Sequence, residues 1–209
     1  MPIKTPPTAE PLTLDELRAH LGMNTVDFTA AQDNLEVLLT TARLLAESNE
    51  GANFAIVSQT WVGHFDQFPG RACGAYPRDT LGGRVPYQID LRSPLQSVTS
   101  ITYLDTNGTR QTLESSEYAV DVVMCRVIPA YGKTWPDART FPGSVQVEYV
   151  CGFGNQSAVP EDIKSAIKLM VGQNWRYQST IESGFRPLDM PNASKQLLSG
   201  YKDYRPLHA

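Results

Sequence analysis

The apolar residues of this 209-residue chain change period twice, and that change restricts the fold more than any other feature. Near the start they recur every three or four residues, as one face of an α-helix requires. Leu14, Leu17 and Leu21 follow a capping box at Thr13-Leu14-Asp15-Glu16, and Gly22 ends this short helix. A second box, Thr29-Ala30-Ala31-Gln32, predicts the start of a longer helix. Leu35, Leu38, Leu39, Ala42, Leu45 and Ala46 form its stripe, and Gly51 closes it.

After Gly51 the composition turns to β-branched and aromatic residues. Phe54 to Val62 and the run Val98-Thr99-Ser100-Ile101-Thr102-Tyr103-Leu104 read as strands. Asp105-Thr106-Asn107-Gly108 follows, where Asn-Gly supplies the positive φ angles of a tight hairpin turn, with Thr109 to Leu113 as the return. Tyr118 to Asp121 and Arg126 to Ile128 are further short strands. Val145, Val147 and Tyr149 alternate with Gln146 and Glu148 at period two. The stretches Pro69–Pro86 and Pro129–Gly143 read as loops.

Helical spacing returns after Pro160. Glu161 and Asp162 suit a helix N-terminus, and Ile163, Ala166, Ile167, Met170, Val171, Asn174 and Trp175 form one face. That face is expected to pack on the Leu35–Leu45 helix. A last short helix is predicted from Ala193 to about Tyr201. The order is α, α, β unit, α, short α. It predicts an α+β fold in which a helical frame carries an inserted antiparallel β unit. The expected divisions are a flexible arm over 1–11, a helical frame over 12–53 and 155–178, a β insertion over 54–154, and a partner-binding tail over 179–209.

Composition fits a folded chain: 41% of residues are hydrophobic and 19% charged. The net charge of −4 comes without any Lys/Arg run, so gripping duplex nucleic acid through phosphates is not expected. No apolar stretch approaches the roughly 20 residues of a membrane span, and the Pro-rich N-terminus lacks a signal-peptide core. No membrane association is expected, and the chain is predicted to be made and kept inside the cell.

No pattern of catalytic or ligating residues is present. Cys73, Cys125 and Cys151 are widely spaced and form no CxxC, and they are expected to be reduced thiols. His20, His64 and His208 share no local face. Gly152-Phe153-Gly154-Asn155 lacks the third glycine and the Lys-Ser/Thr of a phosphate cradle. No catalytic residue, cofactor or metal is assigned, and the chain is expected not to be an enzyme.

Several segments, in their order, resemble the head–tail connector (adaptor) family of tailed bacteriophages, in the longer form with a β insertion. Leu12 to Leu21 resembles the family's opening helix, and Gln32 to Asn53 the long helix. Ser58-Gln59-Thr60-Trp61 resembles the first strand of the insertion. Leu91-Arg92-Ser93-Pro94-Leu95 through Asp105 is the most distinctive run. Pro129-Ala130-Tyr131-Gly132-Lys133-Thr134-Trp135-Pro136, then Val147 to Gly154, then Val159 to Ile167 complete it. The resemblance covers about residues 12 to 178.

It implies a structural subunit of the virion neck, in a ring, expected to be a dodecamer, beneath the portal protein. DNA would pass through the ring without sequence-specific binding, and a downstream stopper or tail protein would dock on it. It implies no catalysis and no cofactor. Because family members clasp the portal with C-terminal segments, it makes Leu197, Leu198, Tyr201 and Tyr204 candidate portal contacts, the alternative being that they cap the chain's own core. Arg71, Arg78, Tyr131 and Trp135, in the two loops, are candidate intersubunit or tail-side contacts. A monomeric protein-binding module, or another virion ring such as a stopper or tail terminator, is the competing reading.

Overall fold

A computed structural model describes residues 3–48, 50–69, 87–177 and 190–202. The chain divides into two compact units. One contains Gln59–Gly152 and the N-terminal strand. The other contains Pro7–Ser58 and the chain from Phe153 through the C-terminal helix. Among the described residues, four α-helices and antiparallel strands make the fold α+β, as the change of period predicts.

The helical unit begins with α1 (Leu14–Leu21). The capping box at its start is complete: the Glu16 N–H donates to Thr13 Oγ1 at 3.1 Å, and the Thr13 N–H donates to Glu16 Oε2 at 2.7 Å. The bond from the Thr13 amide holds the Glu16 carboxyl below the usual glutamate range. Gly22 ends the helix at φ 65°.

The next helix, α2 (Thr25–Glu47), starts earlier than the Thr29 box predicts. Asn24 is the cap, its Oδ1 accepting the Asp27 N–H at 2.8 Å. Thr29 lies inside the helix and its hydroxyl donates to the Thr25 carbonyl. Asn is the stronger N-cap, and the earlier start brings Phe28 onto the core. Gly51 follows the end of α2. Its φ is not left-handed; the residue with that conformation is Asn53, at 56°. A Cβ on Gly51 would instead run into the carbonyl oxygens of Ala46 and Leu45, so the close return of the chain over the helix end requires glycine.

Helix α3 (Glu161–Tyr177) and helix α4 (Asn192–Ser199) complete this unit. Leu35, Leu39, Ala42 and Ala46 of α2 share one buried cluster with Ile163, Ile167 and Met170 of α3, the packing that the spacing predicts. Each such Leu or Ile contributes about 1.5–3 kcal/mol by leaving water. The Ser194 hydroxyl ties α4 to the Ala166 carbonyl at 2.9 Å. Phe54 to Val57 are buried in this same unit as an irregular segment, where the sequence predicts strand. A run buried all round has no period to distinguish the two.

Charge is buried here too. Arg43 and Glu47 are each 5% exposed. Arg43 Nε meets Glu10 Oε2 at 2.8 Å and its NH1 meets Glu47 Oε2 at 3.0 Å. The other Glu47 oxygen accepts the Ile56 N–H at 2.8 Å. The Thr40 hydroxyl donates to Glu10 Oε1.

The described residues of the β unit form eight strands: β1 (Ile3–Thr5), β2 (Gln59–Phe65), β3 (Ile89–Asp90), β4 (Leu95–Leu104), β5 (Arg110–Thr112), β6 (Tyr118–Asp121), β7 (Arg126–Pro129) and β8 (Val145–Cys151). They make a five-stranded sheet in the order β1-β2-β8-β4-β5 and a three-stranded sheet in the order β3-β7-β6, with antiparallel neighbours throughout. Period two decides the faces. Val145, Val147, Tyr149 and Cys151 are buried, opposite Trp61, Gly63 and Ile101 on the neighbouring strands. Burial pushes the Tyr149 phenol far above its usual range. Residues 3–5 are not a free arm: they add an edge strand to β2, with Lys4 paired to Glu148 at 2.6 Å. Three residues among prolines are too short to show a period.

The β4–β5 turn departs from a two-residue type with positive φ at both central positions. Among its residues only Gly108 has positive φ, at 84°. The Asp105 N–H donates to Thr109 O, and Asp105 Oδ1 accepts the N–H groups of Asn107 and Thr109, each at 2.9 Å. This is the longer hairpin with one left-handed glycine. Donation from the Gln111 amide and the Thr109 N–H holds the Asp105 carboxyl below the usual aspartate range. Because its folded-state value is depressed, its support for the turn is complete above the ordinary aspartate range and is lost as pH falls through the lower value. An NMR titration is expected to place the Asp105 midpoint below that of a free aspartate, with the Asn107 and Thr109 amide shifts following it. A midpoint at or above the free value would remove the carboxylate from the turn's support.

Candidate interaction surfaces

Among the described residues, the side chains with reactive chemistry are dispersed or committed. His64 lies on the solvent-side face of β2, where Lys4, Arg110 and Glu148 line a hollow of about 560 Å³. Lys4 and Glu148 neutralise each other there, and Arg110 donates to Thr102 Oγ1 at 3.2 Å. His20 lies in a groove of about 670 Å³ in the helical unit, with Leu21, Leu169, Gly172 and Trp175. Cys125 and Cys151 are buried, reduced thiols; Cys73 and His208 lie outside the described residues. Among the described residues no cluster of His, Cys, Asp or Glu could hold a metal ion, and no helix is long and apolar enough to cross a membrane.

Exposed apolar side chains are more distinctive. Val122, Val123 and Met124 occupy the tip of the β6–β7 hairpin, and Val123 is 89% exposed. The tip is pinned from beneath. Asp121 Oδ1 accepts the Met124 N–H at 3.0 Å, and Asp121 Oδ2 meets Arg126 Nε at 3.0 Å. Those contacts, the Met124 N–H foremost, hold the Asp121 carboxyl below its usual range. Cys125 takes a left-handed φ of 50° and donates through its thiol to the Val122 carbonyl. Three consecutive exposed apolar residues on a rigid turn suit a protein contact. Sequence reading missed this tip, although Val122-Val123-Met124 follows directly on a predicted strand. A second exposed set, Val26, Val37 and Leu44, lies on α2.

The sequence-derived candidates fall in different places. Tyr131 is fully exposed in the β7–β8 loop. Trp135 is buried in the β unit's own core. It stacks on Phe68 with ring centroids 4.9 Å apart and donates from Nε1 to the Tyr87 carbonyl at 2.9 Å. It therefore has no free face for a neighbouring subunit, which corrects its choice as a loop contact. Leu198 fills the helical core, and Leu197 and Tyr201 pack half-buried against it. Tyr201 meets Phe54 and Phe153 edge-on or tilted, at 6.3 Å each. Of the two readings of these C-terminal residues, the structure gives Leu198 to the chain's own core. Tyr204, Arg71 and Arg78 lie outside the described residues.

No protein-family model and no curated protein matches the sequence. Solved structures do match, over the whole chain. One is a chain in the neck of an empty gene transfer agent (GTA) particle computed with C6 symmetry. It has 22% identity and a TM-score of 0.69, with 100% of this chain and 99% of that chain covered. A second is from the virion of a native GTA particle, at 21% identity and TM-score 0.64, covering 100% and 97%. A third is from the neck of a native GTA particle computed with C12 symmetry, at 20% identity and TM-score 0.60, covering 100% and 99%. The fold of this chain is thus similar to that of chains in phage-like particles, and both units take part in the likeness.

Proposed function

We propose that this chain is a structural, non-enzymatic subunit of a virion neck: an adaptor that forms a ring beneath the portal, passes DNA and docks the next neck or tail protein. The observation that carries the reading is the end-to-end likeness to a GTA neck chain, in which neither protein has a domain the other lacks. Necks computed with sixfold and twelvefold symmetry among the similar structures support a closed homo-oligomer. Closed rotation of one heterologous contact limits growth to a ring. A net charge of −4 suits a channel past which DNA slides without sticking. The pinned Val122–Met124 tip and exposed Tyr131 are preformed contacts for neighbours, since a rigid turn loses little freedom on docking. With Leu198 taken by the core, Leu197, Tyr201 and Tyr204 are the candidates for portal contact.

The test is a reconstruction of the neck of the particle that packages this chain, with mass spectrometry of its proteins. The expected result is a twelvefold ring of this fold directly beneath the portal, in line with the C12-symmetric relative. Absence of the chain from purified particles, or its binding as a single copy, would overturn the reading.

A further inference from the structure

We propose that the outward face of α2 is one half of the contact between neighbouring copies of this chain, and that the other half is the basic α3–α4 pair of the next copy. The inference rests on the ring reading and adds to it the surfaces that would close the ring.

Helix α2 has two apolar faces. One is in the core. The other consists of Val26, Ala30, Val37 and Leu44, and the three larger residues are 79%, 65% and 49% exposed. At about 100° per residue these four positions lie within about 40° of one another, along about 27 Å of helix, and the exposed Asp33 lies about 20° beyond that arc between Ala30 and Val37. The line is straight, so its natural partner is another elongated element. Two threonines on its borders are less polar than they read: the Thr29 hydroxyl donates to Thr25 O and the Thr41 hydroxyl to Val37 O.

Charge selects the occupant. The exposed charges of α2 are Asp27, Asp33 and Glu36, all acidic. Its one base, Arg43, is buried against Glu10 and Glu47. A long helix that faces water usually mixes both signs at i,i+4 spacing, and this one does not. The complement lies on the same chain. Helices α3 and α4 pack together; Lys164 is buried against Glu161, while Lys168, Arg176 and Lys195 reach the surface of the pair, with no acid after the first turn of α3. Leu169 is exposed and lines one groove with Arg176. A cyclic ring needs two different, mutually complementary patches on every subunit. An acidic-apolar helix and a basic helix pair satisfy that requirement with a second copy, without any other protein.

The experiment places a photoreactive residue, Val37→p-benzoylphenylalanine, in the full chain as it assembles in particles, followed by irradiation and peptide mapping. Val37 lies on the exposed side of α2, and unchanged far-UV dichroism checks the fold. The expected result is a dimer-sized adduct as the main product, its second site within 161–177 or 190–202 of another copy. Cross-linking to a different polypeptide, to another region of this chain, or to nothing while wild-type rings form would overturn the pairing and leave the ring reading standing. Failure of the wild-type chain to form rings in the same particles would overturn both, and would show in the control before any irradiation.

Discussion

Replacing Arg43 by alanine is expected to destabilise the helical unit by about 3–5 kcal/mol. The guanidinium is 5% exposed and sits between Glu10 and Glu47. Burying these ions costs solvation that their mutual attraction offsets only while all three are present. Without Arg43, the Glu47 carboxylate stays in the interior beside the half-open Glu10. Glu47 cannot swing out to water without giving up the Ile56 amide, and an unsatisfied buried N–H costs about 1–3 kcal/mol. The ion pair also joins parts of the chain distant in sequence: the segment before α1, the second half of α2 and the return of the chain after Gly51. The measurement is urea unfolding followed by helical dichroism in the Arg43→Ala and Arg43→Lys variants. Lysine restores the charge but not the fork that reaches both carboxylates, so it should recover only part of the loss. A wild-type midpoint for Arg43→Ala would show that the charges are solvated in the folded state.

Trp135→Ala is expected to cost about 3–5 kcal/mol in the β unit, whereas Tyr131→Ala, in the same loop, should stay within about 0.5 kcal/mol. Both residues are equally aromatic in sequence. The indole is 4% exposed, stacked on Phe68 with an interplanar angle of 10°, while Phe68 also meets Tyr103 edge-on at 5.5 Å. Truncation leaves a void the size of an indole against the Phe68 ring, and it strips the Tyr87 carbonyl of its donor. Near-UV dichroism reports the packing of these rings, and its thermal midpoint should fall for Trp135→Ala alone. Equal destabilisation of the isolated chain by Tyr131→Ala would mean that the tyrosine is covered in the folded state. If Tyr131→Ala left the chain stable but impaired particle assembly, the tyrosine would belong to a subunit contact.

These two cases show how far local pattern reaches. Helix α1 with its capping box, the packing of α3 on α2, and the alternating β8 were legible because each obeys a rule of spacing that operates within a few residues. The starts and ends of elements were less so. Asn24 and Thr29 both offer a capping oxygen, and the choice between them depends on whether Phe28 finds a core to enter. Phe54 to Val57 read as strand because burial on every side erases period. The edge strand Ile3–Thr5 depends on an open edge of β2 that lies more than fifty residues away in sequence.

Surfaces divide in the same way. Composition and spacing alone determined that this chain is α+β, that helical segments bracket an antiparallel β unit, and that no local motif for catalysis or metal binding is present. These follow from period, turn chemistry and ligand spacing, which are properties of neighbours along the chain. Only the tertiary structure decided that Trp135 is interior and Tyr131 is not, that Leu198 fills a core, that Val122–Met124 form a pinned apolar tip, and that Arg43 lies buried between two carboxylates. The physical reason is that exposure and charge pairing depend on which distant segments come to cover a side chain, and an aromatic or an arginine reads the same in sequence whether it is covered or bare.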